Sequence, residues 1–239
     1  MSTAAHDAII SWRLATKMQR YGTMIKRTSA FFLHALAFIT TMPNNNIPSA
    51  SIFIATSTDG FIADQDGNVD WLNDLQTSHP LPDGDDGGFG DFLSSIDAIV
   101  MGRTTYDAVL GFLDSGIEWP YGSLPVFVYT SDVNNVKIPD ALSKYVRTAT
   151  GTPKEVMQLV ASAVDGARDV YVDGGRTIRS FLDEGLVGRV IVTVVPVSLS
   201  DGVPLHVLEQ KHKDMLKEIS RENMSNGFVQ VVYEVQNVC

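Results

Sequence analysis

Two short segments of this sequence combine glycine, arginine and threonine directly after a predicted strand. They are Gly102-Arg103-Thr104-Thr105, after 98–101, and Gly174-Gly175-Arg176-Thr177, after 168–173. A helix-like segment follows each at once, so the unpaired N–H groups and positive dipole of a helix start would stand beside an arginine. Glycine lets a ligand approach the backbone, guanidinium offers a bidentate fork, and hydroxyls donate further hydrogen bonds. These residue types at this spacing predict phosphate binding.

Arg103 lies far in the sequence from any other basic residue. It is the only Lys or Arg between residues 28 and 136, and residues 59–118 carry thirteen acids. A lone cation in so acidic a region predicts a specific anionic partner. The alternative is an exposed ion pair with Asp107, four residues on along the predicted helix. For the Gly-Gly segment, the alternative is an ordinary tight turn between a strand and a helix.

An apolar run at 125–129 leads into Thr130 and Ser131. The carboxyl ends of parallel strands meet at one edge of a sheet, and ligands of open α/β sheets bind there. Two further hydroxyls at that edge would extend the predicted site. Such a site suits a long, multiply phosphorylated ligand such as a dinucleotide.

Three aspartates are candidates for acid–base chemistry. Asp59 lies just after the apolar run 51–57, and Asp70 and Asp74 flank Trp71. A carboxyl group buried beside an aromatic ring has a raised pKa and can give a proton to a substrate nitrogen. The alternative is that all three are turn residues whose oxygens accept hydrogen bonds from nearby backbone N–H groups.

The elements that position these residues alternate between strand and helix. The clearest helix is 152–164, because Thr152, Pro153 and Glu155 form a capping pattern at its start. Alternation predicts a mostly parallel central sheet covered on both faces, a class α/β fold. Asn226-Gly227, near the junction of two β-rich runs, predicts a C-terminal antiparallel hairpin at one side of that sheet.

Composition excludes several classes of protein. The net charge of −10 over 239 residues argues against nucleic acid or an anionic membrane as a partner. Cys239 is the only cysteine, so we expect a reducing, cytoplasmic location. The five histidines are scattered and show no metal-binding spacing, so no metal site is expected.

Residues 1–48 are interpreted as a poorly ordered N-terminal extension, and residues 49–236 as one domain. The first 41 residues hold five basic residues and one acid, and their apolar stretch at 30–39 is too short to span a bilayer. Two interpretations stay open. The extension is either an organellar targeting segment or the product of a mis-assigned start, with Met42 the true beginning.

Three segments resemble the dihydrofolate reductase-like superfamily. DAIVMGRTTYDAV (97–109) resembles its cofactor motif. Residues 51–72 and 170–205 resemble the C-terminal reductase domain of the bacterial bifunctional riboflavin-biosynthesis deaminase-reductase, in a stand-alone form. The resemblance runs from about 50 to 236. It implies a dihydrofolate reductase-like αβα sandwich, NADPH as the cofactor and a homodimer.

The resemblance also implies a role for each matching residue. The cofactor phosphates would be held by Gly102, Arg103, Thr104 and Thr105. The adenosine end would lie near Thr130 and Ser131. The pyrophosphate or nicotinamide side would pack against Gly174, Gly175, Arg176 and Thr177. Ala55 would lie under the nicotinamide and Asp173 near the substrate, as a fourth candidate catalytic acid with Asp59, Asp70 and Asp74.

One departure bears on the substrate. Riboflavin reductases usually carry a lysine suited to a substrate phosphate where this chain has Phe61, and no zinc-deaminase motif is present. The sequence therefore predicts an NADPH-dependent reductase, similar to 5-amino-6-(5-phosphoribosylamino)uracil reductase or acting on a related small heterocycle. The alternatives are a dihydrofolate reductase-type activity and a non-catalytic NADPH-binding protein.

Overall fold

An eight-stranded sheet forms the centre of the molecule. The computed structural model describes residues 47–114 and 116–236. The strands are β1 Ser49–Ser57, β2 Phe61–Ala63, β3 Ala98–Gly102, β4 Val126–Tyr129, β5 Val146–Ala149, β6 Asp169–Asp173, β7 Val187–Val195, β8 Val203–Pro204, β9 Leu216–Asn223 and β10 Val229–Val235. The large sheet has the order β5-β4-β3-β6-β1-β7-β10-β9, and β2 pairs with β8 in a small separate sheet.

Six neighbouring strands, from β5 to β7, run parallel, whereas β10 pairs antiparallel with both β7 and β9. The β9–β10 turn is closed by the Gly227 N–H, which donates to the Met224 carbonyl at 3.0 Å. The side-chain oxygen of Asn226 accepts from the Phe228 N–H at 3.2 Å. The predicted mostly parallel sheet with a C-terminal antiparallel hairpin is therefore confirmed.

Helices cover both faces of the sheet. They are α1 Asp70–Ser78, α2 Phe89–Ser94, α3 Arg103–Asp114, α4 Pro153–Ala163, α5 Gly175–Asp183 and α6 Gln210–Lys213. Helices α4 and α5 pack on one face, with Val100 and Val172 of the sheet beneath them. Helices α2 and α3 pack on the other, over Ile99, Met101 and Tyr171. The sheet strands between them are apolar on both sides because both sides are covered.

The α4 start shows why the sequence folds this way locally. Thr152 accepts from the Glu155 N–H at 3.2 Å, and the Glu155 carboxylate accepts from the Thr152 N–H at 2.7 Å. With Pro153 in the first position, this is a complete capping box. The helix predicted from that pattern is confirmed.

Strand β9 is the free edge of the sheet beyond the hairpin. Its sequence is LKEISREN, and every residue after Leu216 is exposed. Arg221 forms an ion pair with Glu218 on the same strand, and Lys217 forms one with Glu234 on β10. The pairing of β10 with β9 is interrupted by a register shift between Val232 and Tyr233.

Some features lie outside the sequence predictions. Helix α1 and the small β2–β8 sheet were not predicted from the sequence. Within the described ranges, no helix is long and apolar enough to cross a membrane. Most of the N-terminal extension, residues 1–46, lies outside the described residues, as does Cys239.

Candidate functional site

Strands β3 and β6 are neighbours in the sheet, and the helices that follow them lie on opposite faces. After β3 the chain turns onto one face as α3, and after β6 it turns onto the opposite face as α5. Such an arrangement opens a crevice between the two helix starts, and ligands of open α/β sheets bind in this kind of crevice. The two glycine-containing segments found in the sequence are these two strand–helix junctions.

The two junctions pack against each other. A Cβ atom on Gly102 would lie 2.8 Å from the Thr177 hydroxyl oxygen, and one on Gly174 would lie 2.5 Å from the Thr105 hydroxyl oxygen. Each glycine thus faces the threonine of the other junction. Both threonines are buried, so in this form their hydroxyls lie between the helix starts and hold their spacing. Direct contact of either hydroxyl with a phosphate stays a prediction.

The start of α5 has the features of an anion-binding helix start. Gly174 has φ +96° and ψ 128°, a conformation that L side chains rarely adopt, and no side chain caps the helix. The positive end of the helix dipole lies here and favours an anion. Gly175 is buried behind this turn and Arg176 is exposed beside it.

Arg103 begins α3 at the other side of the crevice. Its Nε donates to the Asp107 carboxylate at 2.6 Å, and the two side chains are 31% and 44% exposed. The ion pair that the sequence analysis kept as an alternative is therefore formed. An exposed pair at this spacing contributes only about 0.2–0.5 kcal/mol, so a phosphate can compete with Asp107 for the guanidinium.

The remaining predicted cofactor residues lie along the same edge. Thr104 is half-buried in the first turn of α3. Thr130 follows β4, the neighbour of β3, and its hydroxyl accepts from the Asp132 N–H at 3.1 Å. Ser131 is exposed next to it. Ala55 is buried in β1, where it pairs with Thr193 of β7.

Asp59 connects the turn after β1 to the loop at 198–200 through hydrogen bonds. One carboxylate oxygen accepts from the Ser57 hydroxyl at 2.6 Å and the other from the Ser198 hydroxyl at 2.7 Å. The N–H groups of Leu199 and Ser200 also donate to it. The hydrogen bonds from Ser57 and Ser198, with smaller ones from the two N–H groups, hold the pKa of Asp59 well below its ordinary range. A carboxylate in this state carries no proton near neutral pH, so the geometry supports a structural role in place of the predicted proton donation.

Asp70 and Asp74 belong to α1 and are both exposed. The helix instead turns Leu72 inward and leaves Trp71 half-buried, against a small cluster with Ala55. The sequence hypothesis placed these acids in a buried setting beside Trp71, whereas both carboxylates are exposed. Neither acid has the buried setting that the sequence hypothesis required.

Asp173 ends β6 and is the buried acid of the site, 1% exposed. One oxygen accepts from the Gly174 N–H at 2.8 Å, while the other is buried without a hydrogen-bond partner among the described residues. Burial raises the pKa of Asp173 to about 7, although the Gly174 N–H and the nearby Tyr171 hydroxyl oppose this shift. This acid therefore exchanges a proton near neutral pH.

Two aromatic residues near this acid were not predicted from the sequence. Trp119 and Tyr121, in the segment between α3 and β4, have rings in edge contact at 5.1 Å. Their polar atoms are buried without a partner in the described part of the chain. The available signal was the tripeptide Trp-Pro-Tyr, in which two aromatics stand in an otherwise polar connection. No cluster of residues suited to a metal ion occurs in 47–114 or 116–236.

The family model of the RibD C-terminal domain matches residues 48–230 of this chain. Two Bacillus subtilis (strain 168) proteins, YwjB and YyaP, are each 28% identical to the chain and are themselves uncharacterized. The alignment with YwjB covers 70% of this chain and 87% of that protein, and the alignment with YyaP covers 79% and 97%.

Among solved structures, a Shewanella sp. PV-4 protein named provisionally for riboflavin biosynthesis is 34% identical, with a TM-score of 0.65 over 79% of this chain and 99% of that one. A Thermotoga maritima diaminohydroxyphosphoribosylaminopyrimidine deaminase/5-amino-6-(5-phosphoribosylamino)uracil reductase is 15% identical, with a TM-score of 0.54 over 79% of this chain and 56% of that one. A pyrimidine reductase-like protein from Corynebacterium diphtheriae is 14% identical, with a TM-score of 0.52 over 80% and 93%. The last two support the fold alone, and the dihydrofolate reductase-like architecture predicted from the sequence is confirmed.

The reciprocal packing of the two junctions predicts a graded response to alanine. Gly166→Ala adds backbone strain alone, because Gly166 has φ +70° and open space around it, whereas Gly102→Ala adds crowding alone. Gly174→Ala combines both, so we expect it to lose the most stability, by about 1–3 kcal/mol from strain and more from the contact with Thr105. Urea denaturation of the three variants measures this order. Equal losses for Gly174→Ala and Gly166→Ala would mean that the junctions do not pack tightly.

Proposed function

This chain belongs to the RibD C-terminal domain family, and we propose that it is an NADPH-dependent reductase of a small nitrogen heterocycle. Its relatives by family and structure are riboflavin-biosynthesis reductase-like proteins. The observation that carries the proposal is the pair of strand–helix junctions at the adjacent ends of β3 and β6. There, two helix starts meet at glycines packed against threonine hydroxyls, next to a buried acid with one oxygen that has no partner among the described residues.

The residues present fit the cofactor. A multiply charged anion needs the positive end of a helix dipole, hydroxyl donors and a cation. The crevice offers the α3 and α5 starts, Thr104, and Arg103, whose pair with Asp107 is weak and exposed. We assign the phosphates to the α3 and α5 starts, with Thr104 and the exposed Arg176 beside them. Thr130 and Ser131 extend the same edge toward the adenosine end. Ala55, at the other side of β6, would lie under the nicotinamide.

Asp173 is the residue that we assign to proton transfer. When bound, NADPH supplies a hydride, which adds to the carbon of a C=N bond in the substrate. The nitrogen of that bond then needs a proton, and Asp173 can hold one near neutral pH because burial raises its pKa to about 7. The Gly174 N–H fixes one carboxyl oxygen at 2.8 Å, which orients the other. The surrounding apolar residues exclude water from the carboxyl group.

The substrate that we propose is an aminopyrimidine riboside or a related heterocycle. A reductase similar to 5-amino-6-(5-phosphoribosylamino)uracil reductase is the leading form, with Phe61 in the place of a phosphate-binding lysine. Phe61 begins the short strand β2, and its carbonyl accepts from the Thr56 hydroxyl at 3.0 Å. We therefore expect an unphosphorylated substrate to be accepted. We also propose a homodimer, which sedimentation at micromolar concentration would test.

The direct test is a screen for NADPH oxidation against aminopyrimidine ribosides, their 5-phosphates and pterins. Turnover of a riboside supports the proposal. Turnover of pterins alone would favour the dihydrofolate reductase-type alternative. NADPH binding without oxidation of any of them would favour the non-catalytic alternative.

Asp173→Asn should lower turnover by about 10²–10⁴-fold, the usual contribution of a general acid, and leave NADPH affinity nearly unchanged. Wild-type activity should fall as pH rises through about 7, since the protonated carboxyl group is lost there, and this dependence should vanish in the variant. Steady-state rates from pH 5 to 9 measure both effects. Asp74→Asn, an exposed change on α1, is the control and should keep the wild-type profile.

The same group provides a readout that needs no substrate. Because the folded pKa of Asp173 is raised from 3.8 to about 7, the native state binds more protons between these values. Its contribution to stability is thus greatest at low pH and is lost as pH rises toward 7. Urea unfolding at pH 5 and 8 should show a smaller difference in Asp173→Asn than in wild type. An unchanged difference would contradict the raised pKa.

Arg103→Ala should weaken NADPH binding about ten- to hundredfold and change NADH binding much less. The physical reason is that NADPH carries one more phosphate, and a charge-assisted bond to it contributes about 1.5–3 kcal/mol. The loss should shrink at high salt, since the contact is partly exposed. Fluorescence titration of both nucleotides measures these affinities.

Asp107→Asn is the matched control, because it releases the guanidinium from the ion pair at 2.6 Å. It should keep or tighten NADPH binding. Equal weakening of NADPH and NADH by Arg103→Ala would place the arginine at the pyrophosphate. If the affinity for neither nucleotide changes, Arg103 forms only the ion pair with Asp107 and does not contact the cofactor.

A further inference from the structure

Three polar atoms near the end of β6 have no hydrogen-bond partner within the described residues, although all three are buried. They are the Trp119 indole nitrogen, the Tyr121 hydroxyl and one oxygen of Asp173. A buried polar group without a partner loses its bonds to water and gains nothing in return, so each one requires an explanation. Asp173 already has one in the proposed reaction, whereas Trp119 and Tyr121 do not.

The three groups form one cluster. The rings of Trp119 and Tyr121 meet edge to face, with centroids 5.1 Å apart and planes at 82°. Burial raises the pKa of the Tyr121 hydroxyl well above its ordinary value, and the negative charge of Asp173 raises it further. Tyr121 also packs in the same buried cluster as Tyr171, which lies two residues before Asp173 and on the same face of β6. Tyr121 itself is 2% exposed.

Tyr121 differs from the other buried tyrosines in this respect. The Tyr106 hydroxyl donates to the Lys137 carbonyl at 3.0 Å, and the Tyr171 hydroxyl donates to the Phe53 carbonyl at 3.3 Å. The fold therefore provides partners for buried phenols where they are needed for packing. A tyrosine kept without one, beside an acid with a free oxygen, is suited to a partner that arrives from outside.

The donors indicate the chemistry of that partner. Indole N–H and phenol O–H groups recognise oxygen or nitrogen acceptors, and the ring of Trp119, which is half-buried, offers an aromatic surface to a flat ring. A flat heterocycle with carbonyl groups meets both conditions.

We propose that Trp119 and Tyr121 determine substrate specificity by donating hydrogen bonds to acceptor atoms of a planar heterocycle bound beside Asp173. This assignment rests on the proposed function, because it places the substrate at the same end of β6. It adds two residues, from the connection between α3 and β4, to a site otherwise built from the carboxyl ends of strands.

The test uses Tyr121→Phe, Trp119→Phe and the control Tyr106→Phe in the full chain. The probe is 5,6-diaminouracil, titrated by calorimetry in the presence of saturating NADP⁺. Loss of one neutral hydrogen bond should weaken the probe about two- to tenfold in each of the first two variants. Tyr106→Phe should bind the probe like wild type, and all three variants should keep wild-type NADPH affinity.

Stability in the absence of ligand separates a binding role from a structural one. Tyr121→Phe removes a hydroxyl without a partner, so its urea midpoint should equal or exceed that of wild type. Tyr106→Phe removes a hydroxyl with a partner, so its midpoint should fall. A fall in Tyr121→Phe as large as in the control would overturn the proposal, because the hydroxyl would then be needed for folding.

The two proposals fail in different ways. If wild type binds NADPH but not 5,6-diaminouracil, or if Tyr121→Phe and Trp119→Phe bind the probe as wild type does, the specificity proposal is wrong and the cofactor proposal stands. If wild type does not bind NADPH, the proposed function itself fails.

Discussion

The site depends on one steric constraint, the absence of a Cβ atom at Gly102 and Gly174. Each glycine lies against a threonine hydroxyl of the other junction, at distances that leave no room for a methyl group. This contact sets the separation of the α3 and α5 starts, and those starts supply the N–H groups and dipoles of the crevice. A protein with a net charge of −10 needs such local positive potential to bind an anion at all.

Asp59 and Asp173 differ in pKa because their environments differ. Asp59 accepts four hydrogen bonds at the surface and keeps its negative charge, whereas Asp173 lies in the core with one free oxygen and takes up a proton near neutral pH. Asp70 and Asp74 are exposed on α1. The acid best suited to proton transfer is thus the one whose charged form is least well solvated.

The sequence was informative where function depends on local pattern. The strand–glycine–helix junctions, the capping box at Thr152 and the C-terminal hairpin all follow from neighbouring residues, and the family resemblance ordered them into a fold. The contact of Gly174 with Thr105 was beyond reach, because it requires β3 and β6 to be adjacent although about seventy residues separate them. Trp119 and Tyr121 lie in an irregular connection with no periodicity to indicate burial. Helix α1 was missed because Trp71, Leu72 and Leu75 are its only large apolar residues, and that error misplaced Asp70 and Asp74.

The exposed strand β9 has a consequence for how copies of this protein meet. An edge strand presents unpaired N–H and C=O groups to which a strand of another molecule can add, and such addition leads to aggregation. Here four of the eight residues are charged, although Ile219 between them is exposed. The register shift between Val232 and Tyr233 distorts the ladder behind this edge. Both features oppose continuation of the sheet into a second chain. A stable assembly of copies is therefore expected to use another surface of the fold, and concentrated protein should resist fibrillar association along β9.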